Sequence, residues 1–295
     1  MTVAVRDDDP FIAHRSLLFT VAYELLGSVA DAEDVVQDAW LRWAATDRAA
    51  VRDARAYLVR VVTRQALNRL RTLSRRREEY VGQWLPDPLL TTPDVAEDVE
   101  LAESVSIAML TVLETLGPVE RAVFVLREVF QTPYGEIAAA LGKSEAAVRQ
   151  VANRARRHVA ARRPRMRVDR AEQQAVVERF LAAVAGGELQ QLLELLAPDV
   201  VLVADGGGVV PAPRRPIEGA DTVAKLLRAG YAKVGADYTA IPVWLNGAAG
   251  IRFELGGELV AVVSVTVVDG RITGIYSISN PGKLARLDMV VPLAR

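Results

Sequence analysis

Arginine is the residue with the clearest chemical role in this sequence, and it is concentrated in two stretches. Residues 60–77 carry seven arginines and residues 149–167 carry eight, with no acidic residue in either stretch. Between them, residues 78–120 hold ten acidic residues and neither lysine nor arginine. The planar guanidinium suits phosphate oxygens and base edges, so the pattern indicates two nucleic-acid-binding segments. Codon usage in a GC-rich genome is an alternative source of part of the arginine excess.

Other reactive side chains are scarce. The sequence has no cysteine, which excludes disulfides, thiolate catalysis and cysteine-bound zinc. Its two imidazoles, His14 and His158, lie far apart in sequence. We therefore expect neither a histidine metal site nor a Ser-His-Asp triad, and no metal or cofactor.

Composition indicates a soluble protein of two or three domains. The 295 residues are 51% hydrophobic and 25% charged, which is globular composition at a length typical of about two domains. The longest stretch without a charge, 238–251, contains Pro242 and is shorter than the ~20 apolar residues of a membrane-spanning helix. The first residues, MTVAVRDDDPF, are acidic and lack the apolar core of a secretory signal. We expect a cytoplasmic protein without a membrane partner.

Residues 11–79 have the apolar spacing of helices. A helix over 11–26 is predicted to end at Gly27, and a second over 31–43 has acidic residues in its first turn, which favours the helix dipole. A third helix is predicted from 54 to about 76. Four of its arginines recur at spacings of four, seven and four and form a stripe along one side. The stripe consists of Arg60, Arg64, Arg71 and Arg75, and Asn68 lies within it.

A helix-turn-helix pattern ends the second helical part, residues 105–163. Helices are predicted over 105–116, 119–130, 133–141 and 145–159. Gly142 occupies the last turn and Ser144 caps the last helix, which is the helix-turn-helix arrangement. The predicted core face of the last helix consists of Val148, Val151, Ala152, Ala155 and Val159. Its outer face carries Arg149, Gln150, Asn153, Arg156 and Arg157, residue types that pair with guanine or adenine in the major groove. An ordinary solvated face is the alternative, but such faces mix charges of both signs.

Residues 80–104 form a segment without helical periodicity, here called the linker. It contains three prolines and is strongly acidic, so we predict an extended linker. A solvated tether is the simplest interpretation, but Trp84 and Leu85 argue against a purely passive one.

After residue 168 the pattern changes to helices followed by a meandering sheet, which predicts an α+β domain. Helices are predicted over 169–184, 188–196 and 219–234. Strands are predicted over 200–204, 238–245, 250–255, 258–268 and 271–279. The last strands are separated by the dipeptides Asn246-Gly247, Gly256-Gly257 and Asp269-Gly270, which are hairpin signals.

The helical parts together resemble the extracytoplasmic-function (ECF) sigma factors of bacteria. LGSVADAEDVVQDAWLRW and ARAYLVRVVTRQALNRLR are similar to sigma region 2, and LGPVERAVFVLREVFQTPYGEIAAALGKSEAAVRQVANRARRHV to region 4. The resemblance implies region 2 at 11–79, the acidic linker at 80–104, region 4 at 105–163 and a further domain at 168–295. It implies an all-α pair of sigma domains followed by an α+β domain.

Three short motifs resemble a sigma-J-like subgroup that carries a C-terminal SnoaL-like domain, a ketosteroid-isomerase-like cone. These motifs are Trp84-Leu85-Pro86-Asp87-Pro88, Asp205-Gly206-Gly207-Gly208 and Asn280-Pro281-Gly282-Lys283-Leu284. The subgroup commonly has WLPEP, DGGG and NPDKL. Asp87 keeps the charge of the usual glutamate, whereas Gly282 removes a charge and any ion pair normally made there.

The resemblance implies a sigma factor that binds core RNA polymerase, at the clamp of its largest subunits, and promoter DNA. Asp34, Gln37 and Trp40 would contact polymerase, although a core tryptophan is the alternative for Trp40. The −10 element would contact Arg60, Arg64, Asn68, Arg71 and Arg75. The −35 element would contact Ser144, Arg149, Gln150, Asn153, Arg154 and Arg157. The acidic linker would follow the positively lined cleft of polymerase.

The C-terminal domain allows two interpretations. Cones of this kind can be isomerases with an aspartate base, and Asp205, Tyr231, Tyr238 and Trp244 are the candidate cavity residues. However, aspartate at the start of a glycine turn usually bonds its own backbone, so we do not expect an enzyme. The preferred hypothesis is regulation in cis through the three motifs, with an unidentified small ligand as an additional candidate partner. The alternative for the whole chain is a DNA-binding regulator fused to a ligand-binding or isomerase-type domain.

Overall fold

The computed structural model describes residues 9–92, 95, 98–162, 170–231, 238–287 and 290–295. This part of the chain forms two compact units. Unit 1 lies within residues 1–76, 112–163 and 292–295, and unit 2 within residues 77–111 and 164–291. Residues 162–167 hold four arginines and Pro164, which predicts a basic hinge; except for Arg162, they lie outside the described residues.

Unit 1 begins with three helices that agree with the sequence prediction. They are α1 (Pro10–Leu26), α2 (Val29–Ala44) and α3 (Ala54–Glu78). Asp9 caps α1 by accepting a hydrogen bond from the Phe11 N–H, and Gly27 ends it with a positive φ of 65°. A short 3₁₀ turn, Arg48–Ala50, lies between α2 and α3.

The second helical part is more broken than predicted. It contains α4 (Val99–Val105), α5 (Ile107–Leu113), α6 (Pro118–Phe124), α7 (Tyr134–Leu141) and α8 (Glu145–Ala160). The single helix predicted over 105–116 is wrong, because Ser106 leaves helical geometry and its Oγ accepts a hydrogen bond from the Met109 N–H. The predicted extended linker is also partly wrong, since α4 occupies its last residues. After α6, residues Val125–Val129 form a π-helical turn.

A buried guanidinium joins two helices of unit 1. Arg121 of α6 is 2% exposed, its Nε donates to the Glu24 carbonyl of α1 at 2.9 Å, and its Nη1 pairs with the Glu114 carboxylate. Burial lowers the pKa of Arg121 to about 9, and the neighbouring Glu24 opposes the shift. Hydrogen bonds and paired charge are what make such a burial tolerable.

Unit 2 is an α+β domain with a six-stranded sheet. Its helices are α9 (Arg170–Gly186), α10 (Leu189–Leu195), α11 (Ala220–Tyr231) and α12 (Pro281–Leu284). Its strands are β1 (Leu196–Asp205), β2 (Ile217–Glu218), β3 (Tyr238–Leu245), β4 (Ala248–Leu255), β5 (Glu258–Val268) and β6 (Arg271–Ile278). The strand order is β2-β1-β6-β5-β4-β3, and only the β1–β6 pair is parallel.

The sheet buries both faces, each in a different apolar cluster. One face packs on α9, α10 and α11 through residues such as Val263 and Ile275. Alternation along the strands sends Val262 and Ile278 to the opposite face, where they pack with Leu85 of the linker. The linker therefore supplies part of the core of unit 2. The predicted architecture, all-α parts followed by an α+β domain, is confirmed.

Candidate nucleic-acid interface and linker-docking site

Helices α7 and α8 form the helix-turn-helix of unit 1. Gly142 turns the chain with a φ of 63°, and the Ser144 Oγ accepts a hydrogen bond from the Ala147 N–H at 3.3 Å. Of the predicted core face, Val148, Ala152, Ala155 and Val159 are buried and Val151 is half-buried. The predicted −35 side chains Arg149, Gln150, Asn153, Arg154 and Arg157 are all exposed.

Ring contacts and ion pairs hold Arg149, Arg154 and the nearby Arg127 in place. The guanidiniums of Arg127 and Arg149 lie 4.7 and 4.8 Å from the ring centroid of Tyr134. Arg149 also pairs with Glu145 at 2.9 Å, and Arg154 pairs with Glu120 at 2.5 Å. Exposed ion pairs are worth ~0–1 kcal/mol, so phosphates can replace these carboxylates at little cost.

Contacts within unit 1 occupy part of the arginine stripe of α3. Arg64 donates from Nε to the Ala140 carbonyl and from Nη2 to the Ala139 carbonyl, both at 2.8 Å, at the end of α7. Arg60 lies over the Tyr57 ring at 5.4 Å and lines a cavity of about 490 Å³. Asn68 and Arg71 are exposed. The side chain of Arg75 lies outside the described residues.

The predicted polymerase-binding residues lie on α2. Asp34 and Gln37 are exposed, and Asp34 lies 3.3 Å from the guanidinium of Arg69. Trp40 is half-buried, with its ring 5.0 Å from that of Phe11. The sequence interpretation missed Leu41, which is 60% exposed and lies four residues after Gln37 on the same helix face.

In unit 2 the side chain of Asp205, at the end of β1, is fully buried and collects four donors. Oδ1 accepts from the Tyr80 hydroxyl at 2.6 Å and from the Gly207 N–H at 3.0 Å. Oδ2 accepts from the Leu85 N–H at 2.9 Å and from the Lys283 ammonium at 2.8 Å. One carboxylate thus joins all three sequence motifs.

The Lys283 ammonium is equally enclosed. It is 9% exposed, also donates to the Leu85 carbonyl, and lies 4.1 and 5.5 Å from the ring centroids of Trp84 and Tyr80. Two ring faces, a carbonyl and a carboxylate replace its hydration shell. We call Tyr80, Leu85, Asp205, Asn280 and Lys283 the Asp205 cluster.

Asn280 and the glycines complete this cluster. The Asn280 Nδ2 donates to the Tyr80 hydroxyl at 2.7 Å, and its Oδ1 caps α12 by accepting from the Gly282 N–H. A Cβ on Gly207, which has a φ of 65°, would overlap the Asn280 amide, and a Cβ on Gly208 would lie 3.0 Å from Val81. The two glycines therefore let the Asn280 amide and Val81 of the linker approach the turn.

The cluster changes the acidity of Tyr80. Burial raises the pKa of its phenol, and the hydrogen bond to the Asp205 carboxylate raises it further, while the bond from Asn280 acts in the opposite direction. The hydroxyl thus remains a donor to Asp205 at neutral pH.

The remaining motif residues lie beside the cluster or at its edge. Pro86, Pro88 and Leu284 are buried, Asp87 is half-buried, and Pro281 is exposed at the start of α12. Gly206 is buried, and a Cβ there would overlap the Val210 carbonyl.

The structure does not assemble the candidate isomerase residues. Asp205 is fully buried and accepts hydrogen bonds from Gly207, Lys283 and two linker residues, so it is not accessible as a base. Tyr231, Tyr238 and Trp244 instead pack against the apolar cluster beneath α9, α10 and α11, where burial raises the pKa of Tyr238 to about 12. The prediction that these four residues could line one catalytic cavity is therefore wrong.

Sequence reasoning missed two residues that hold the linker. Tyr80 lies four residues before Trp84, the first residue of the linker motif, and this proximity was the available sign that Tyr80 belongs to the site. Asn246 was interpreted as a hairpin residue only. It is fully buried and bonds linker backbone, and no sequence pattern distinguishes it from an exposed turn.

Comparison with known proteins agrees with this geometry. Sigma-70 region 2 matches residues 11–76, and sigma-70 region 4 matches residues 106–159. The ECF RNA polymerase sigma factor SigJ of Mycobacterium tuberculosis is 40% identical over 92% of this chain and 91% of its own. A probable ECF sigma factor, SigI, from the same species is 33% identical over 92% of each chain.

The solved structure of M. tuberculosis SigJ is also similar. It has a TM-score of 0.77 and 37% identity, and the match covers 94% of this chain and 97% of that one. Two sigma-70 domains followed by an α+β domain define a protein of the sigma-factor class. The chain belongs to the ECF sigma factor family, and its similarity to SigJ extends through the C-terminal α+β domain. Among the described residues, none of the helices has both the length and the apolar character needed to cross a membrane.

Proposed function

We propose that this sigma factor binds core RNA polymerase, directs it to promoters, and is controlled in cis by its SnoaL-like domain. The domain acts by holding the linker, and the observation that carries this proposal is the buried Asp205 carboxylate shared by the three motifs. Core polymerase and the chromosome place its action in the cytoplasm. The proposal involves no catalysis and no small ligand.

Polymerase binding is assigned to the exposed face of α2. Asp34 and Gln37 offer polar contacts there, and Trp40 with its neighbour Leu41 offers apolar surface. Aromatic side chains within such mixed surfaces often anchor interfaces. The partner surface would be the clamp of the largest polymerase subunits.

Promoter binding is assigned to the two arginine-bearing helices. On α8, Arg149, Gln150 and Asn153 are exposed residue types that read base edges in duplex DNA at the −35 element, next to Arg154, Arg157 and Ser144. On α3, Arg60, Arg64, Asn68, Arg71 and Arg75 would hold the opened −10 element through phosphates and unpaired bases.

Regulation follows from where the linker lies. An acidic linker that follows the polymerase cleft must be free to extend, whereas here Leu85 is 0% exposed and its N–H and C=O are both bound by the cluster. Arg64 is likewise bound to the carbonyls of α7 instead of being free for DNA. We therefore assign the described arrangement to a resting state in which the SnoaL-like domain inhibits initiation.

The test is run-off transcription with core polymerase and a cognate promoter. Tyr80→Phe removes the hydroxyl that bridges Asp205 and Asn280, and we expect more transcript than from the unaltered protein because the linker is held less tightly. Tyr238→Phe is the matched control, since it removes a half-buried hydroxyl of the same unit that packs against Phe253, away from the linker. Equal transcription by the two variants and the unaltered protein would contradict regulation through the cluster.

A second arm tests the polymerase contact separately. The double variant Gln37→Ala/Trp40→Ala should bind core polymerase more weakly in a competition assay while its circular dichroism spectrum stays unchanged. Unaltered affinity of the folded double variant would exclude this face of α2 as the docking surface.

A further inference from the structure

The turn between β3 and β4 has an unusual environment for a hairpin turn. Asn246 and Gly247 form this turn, with φ values of 51° and 73°, and here it is called the Asn246 turn. Asparagine and glycine at such positions normally serve the positive φ and face solvent. Asn246 is instead 0% exposed.

The turn forms hydrogen bonds to the chain between residues 89 and 105. The Asn246 Oδ1 accepts from the Leu89 N–H, and the Asn246 N–H donates to the Leu89 carbonyl, both at 2.9 Å. The Gly247 N–H donates to the Thr91 Oγ1 at 3.0 Å. The Thr91 N–H donates to the Trp244 carbonyl at 3.1 Å, so residues 89–91 add a short piece of strand to β3.

The same amide also holds the other end of this chain segment. The Asn246 Nδ2 donates to the Val105 carbonyl at the end of α4, at 2.9 Å. Gly247 lies against this helix, because a Cβ in its place would be 2.7 Å from the Cα of Ala102. One side-chain amide therefore bonds two points of the chain, Leu89 and Val105, and closes the residues between them into a loop.

We propose that the Asn246 turn is a second docking site for the linker, distinct from the Asp205 cluster, and that its occupant is the segment 89–105 of the same chain. The two sites bind different linker residues: the cluster binds Tyr80 and Leu85, and the turn binds Leu89, Thr91 and Val105. Apart from the Thr91 hydroxyl, the turn binds backbone groups of the linker, so its contacts depend more on the path of the linker than on its side chains.

The closed loop limits how far the linker can reach. The segment between the matched sigma regions, residues 77–105, can span on the order of 100 Å when extended, and 89–105 accounts for about half of that. The Asn246 turn must therefore release this segment before the linker can extend between regions 2 and 4. This consequence for transcription rests on the proposed function, whereas the docking itself does not.

The test compares Asn246→Gly with Asp269→Gly in the full-length protein. Glycine keeps the positive φ at both positions, so only the side chain is lost. Asp269 is the matched control because it occupies the same kind of turn, with a φ of 49°, between β5 and β6, and is exposed. The readout is residue-resolved amide hydrogen exchange at Leu89 and Leu85.

We expect Asn246→Gly to speed amide exchange at Leu89 by ~10-fold, because the Leu89 N–H loses its buried hydrogen bond to the Asn246 side chain. The exchange rate at Leu85 should stay unchanged. Asp269→Gly should leave both rates unchanged. No change at Leu89, or the same acceleration at Leu85 and Leu89, would overturn a separate docking site. Transcription by Asn246→Gly should rise. If amide exchange at Leu89 becomes faster but transcription does not increase, the docking site stands and its role in limiting initiation is overturned.

Discussion

The two units place their charged groups differently. In unit 1 the arginines of α8 form exposed pairs, such as Arg149 with Glu145 and Arg154 with Glu120. In unit 2 the Asp205–Lys283 pair is buried, with side-chain exposures of 0% and 8%. Exposed pairs exchange partners at little cost, whereas a buried pair fixes whatever it touches. Unit 1 therefore keeps these charges at its surface, whereas unit 2 uses the Asp205–Lys283 pair to hold its own chain.

The largest expected effect follows from breaking the buried pair. Asp205→Asn leaves the Lys283 ammonium without its carboxylate, so we expect unit 2 to lose ~3–5 kcal/mol of stability in urea unfolding of the full-length protein. Glu254→Gln breaks the less buried pair with Arg252 in the same unit and should cost ~1 kcal/mol or less. Similar losses for both variants would contradict the difference drawn between fully buried and partly exposed ion pairs.

A smaller effect is expected within the arginine stripe. Arg64→Ala removes two hydrogen bonds to α7 and should destabilise unit 1 by ~1–2 kcal/mol. Arg71→Ala removes exposed contacts of the same stripe, such as the 3.4 Å hydrogen bond to Asn68, and should cost ~0.5 kcal/mol or less. Both variants should weaken promoter binding by the polymerase complex and flatten its salt dependence. An equal or larger loss of stability in Arg71→Ala than in Arg64→Ala, measured by urea unfolding, would contradict this division.

Base reading by α8 should appear only at particular positions of the promoter. Arg149→Ala or Gln150→Ala should cost ~1–3 kcal/mol at individual −35 base pairs, as for one lost bidentate contact, without affecting protein stability. The measurement is binding to a panel of single-base promoter variants. An equal loss on every −35 sequence would assign these side chains to phosphate contact.

The smallest effect concerns pH. The pKa of Tyr80 is raised, so folding favours the neutral phenol. The stability that Tyr80 contributes is fully present below the ordinary tyrosine pKa of ~10. That contribution is lost as the pH rises through the raised pKa. Ultraviolet titration should show one late-ionising tyrosine fewer in Tyr80→Phe. In Asp205→Asn that tyrosine should ionise earlier, because the negative neighbour is gone. An unchanged titration in both variants would contradict the Tyr80 environment.

The sequence predicted most of the architecture because periodicity and caps are local signals. Gly27, Gly142 and Ser144 end or begin helices where expected, and the four last strands were placed within two residues. The break at Ser106 was missed because a hydroxyl that caps the next helix looks the same in sequence as one within a helix. The two-residue β2 is too short to produce a pattern.

The site was less predictable because it depends on contacts between distant residues. The sequence showed the three motifs. It could not show that the Asp205 carboxylate joins Tyr80, Leu85 and Lys283, because that depends on how the chain folds. Asn246 carried the signal of a hairpin, which is correct, and gave no indication that linker backbone would bury it. Arg64 fits the stripe by spacing, yet spacing cannot show that α7 offers it two carbonyls.

The central claim is that the SnoaL-like domain inhibits initiation by holding the linker, and a reversible lock tests it directly. Leu90 and Leu245 form an antiparallel bridge, and the hydrogen bonds beside it are made by their neighbours in sequence. In such a non-hydrogen-bonded pair the Cα atoms lie ~4.5 Å apart, a distance that a disulfide can span. The sequence has no cysteine, so Leu90→Cys/Leu245→Cys introduces a single possible disulfide.

The measurement is run-off transcription by this variant, oxidised and then reduced. A linker bonded to a folded domain cannot enter the polymerase cleft, so the oxidised form should give at least ~10-fold less transcript, and a reductant should restore it. Full transcription by the oxidised protein, with the disulfide verified by mass spectrometry, would contradict the claim.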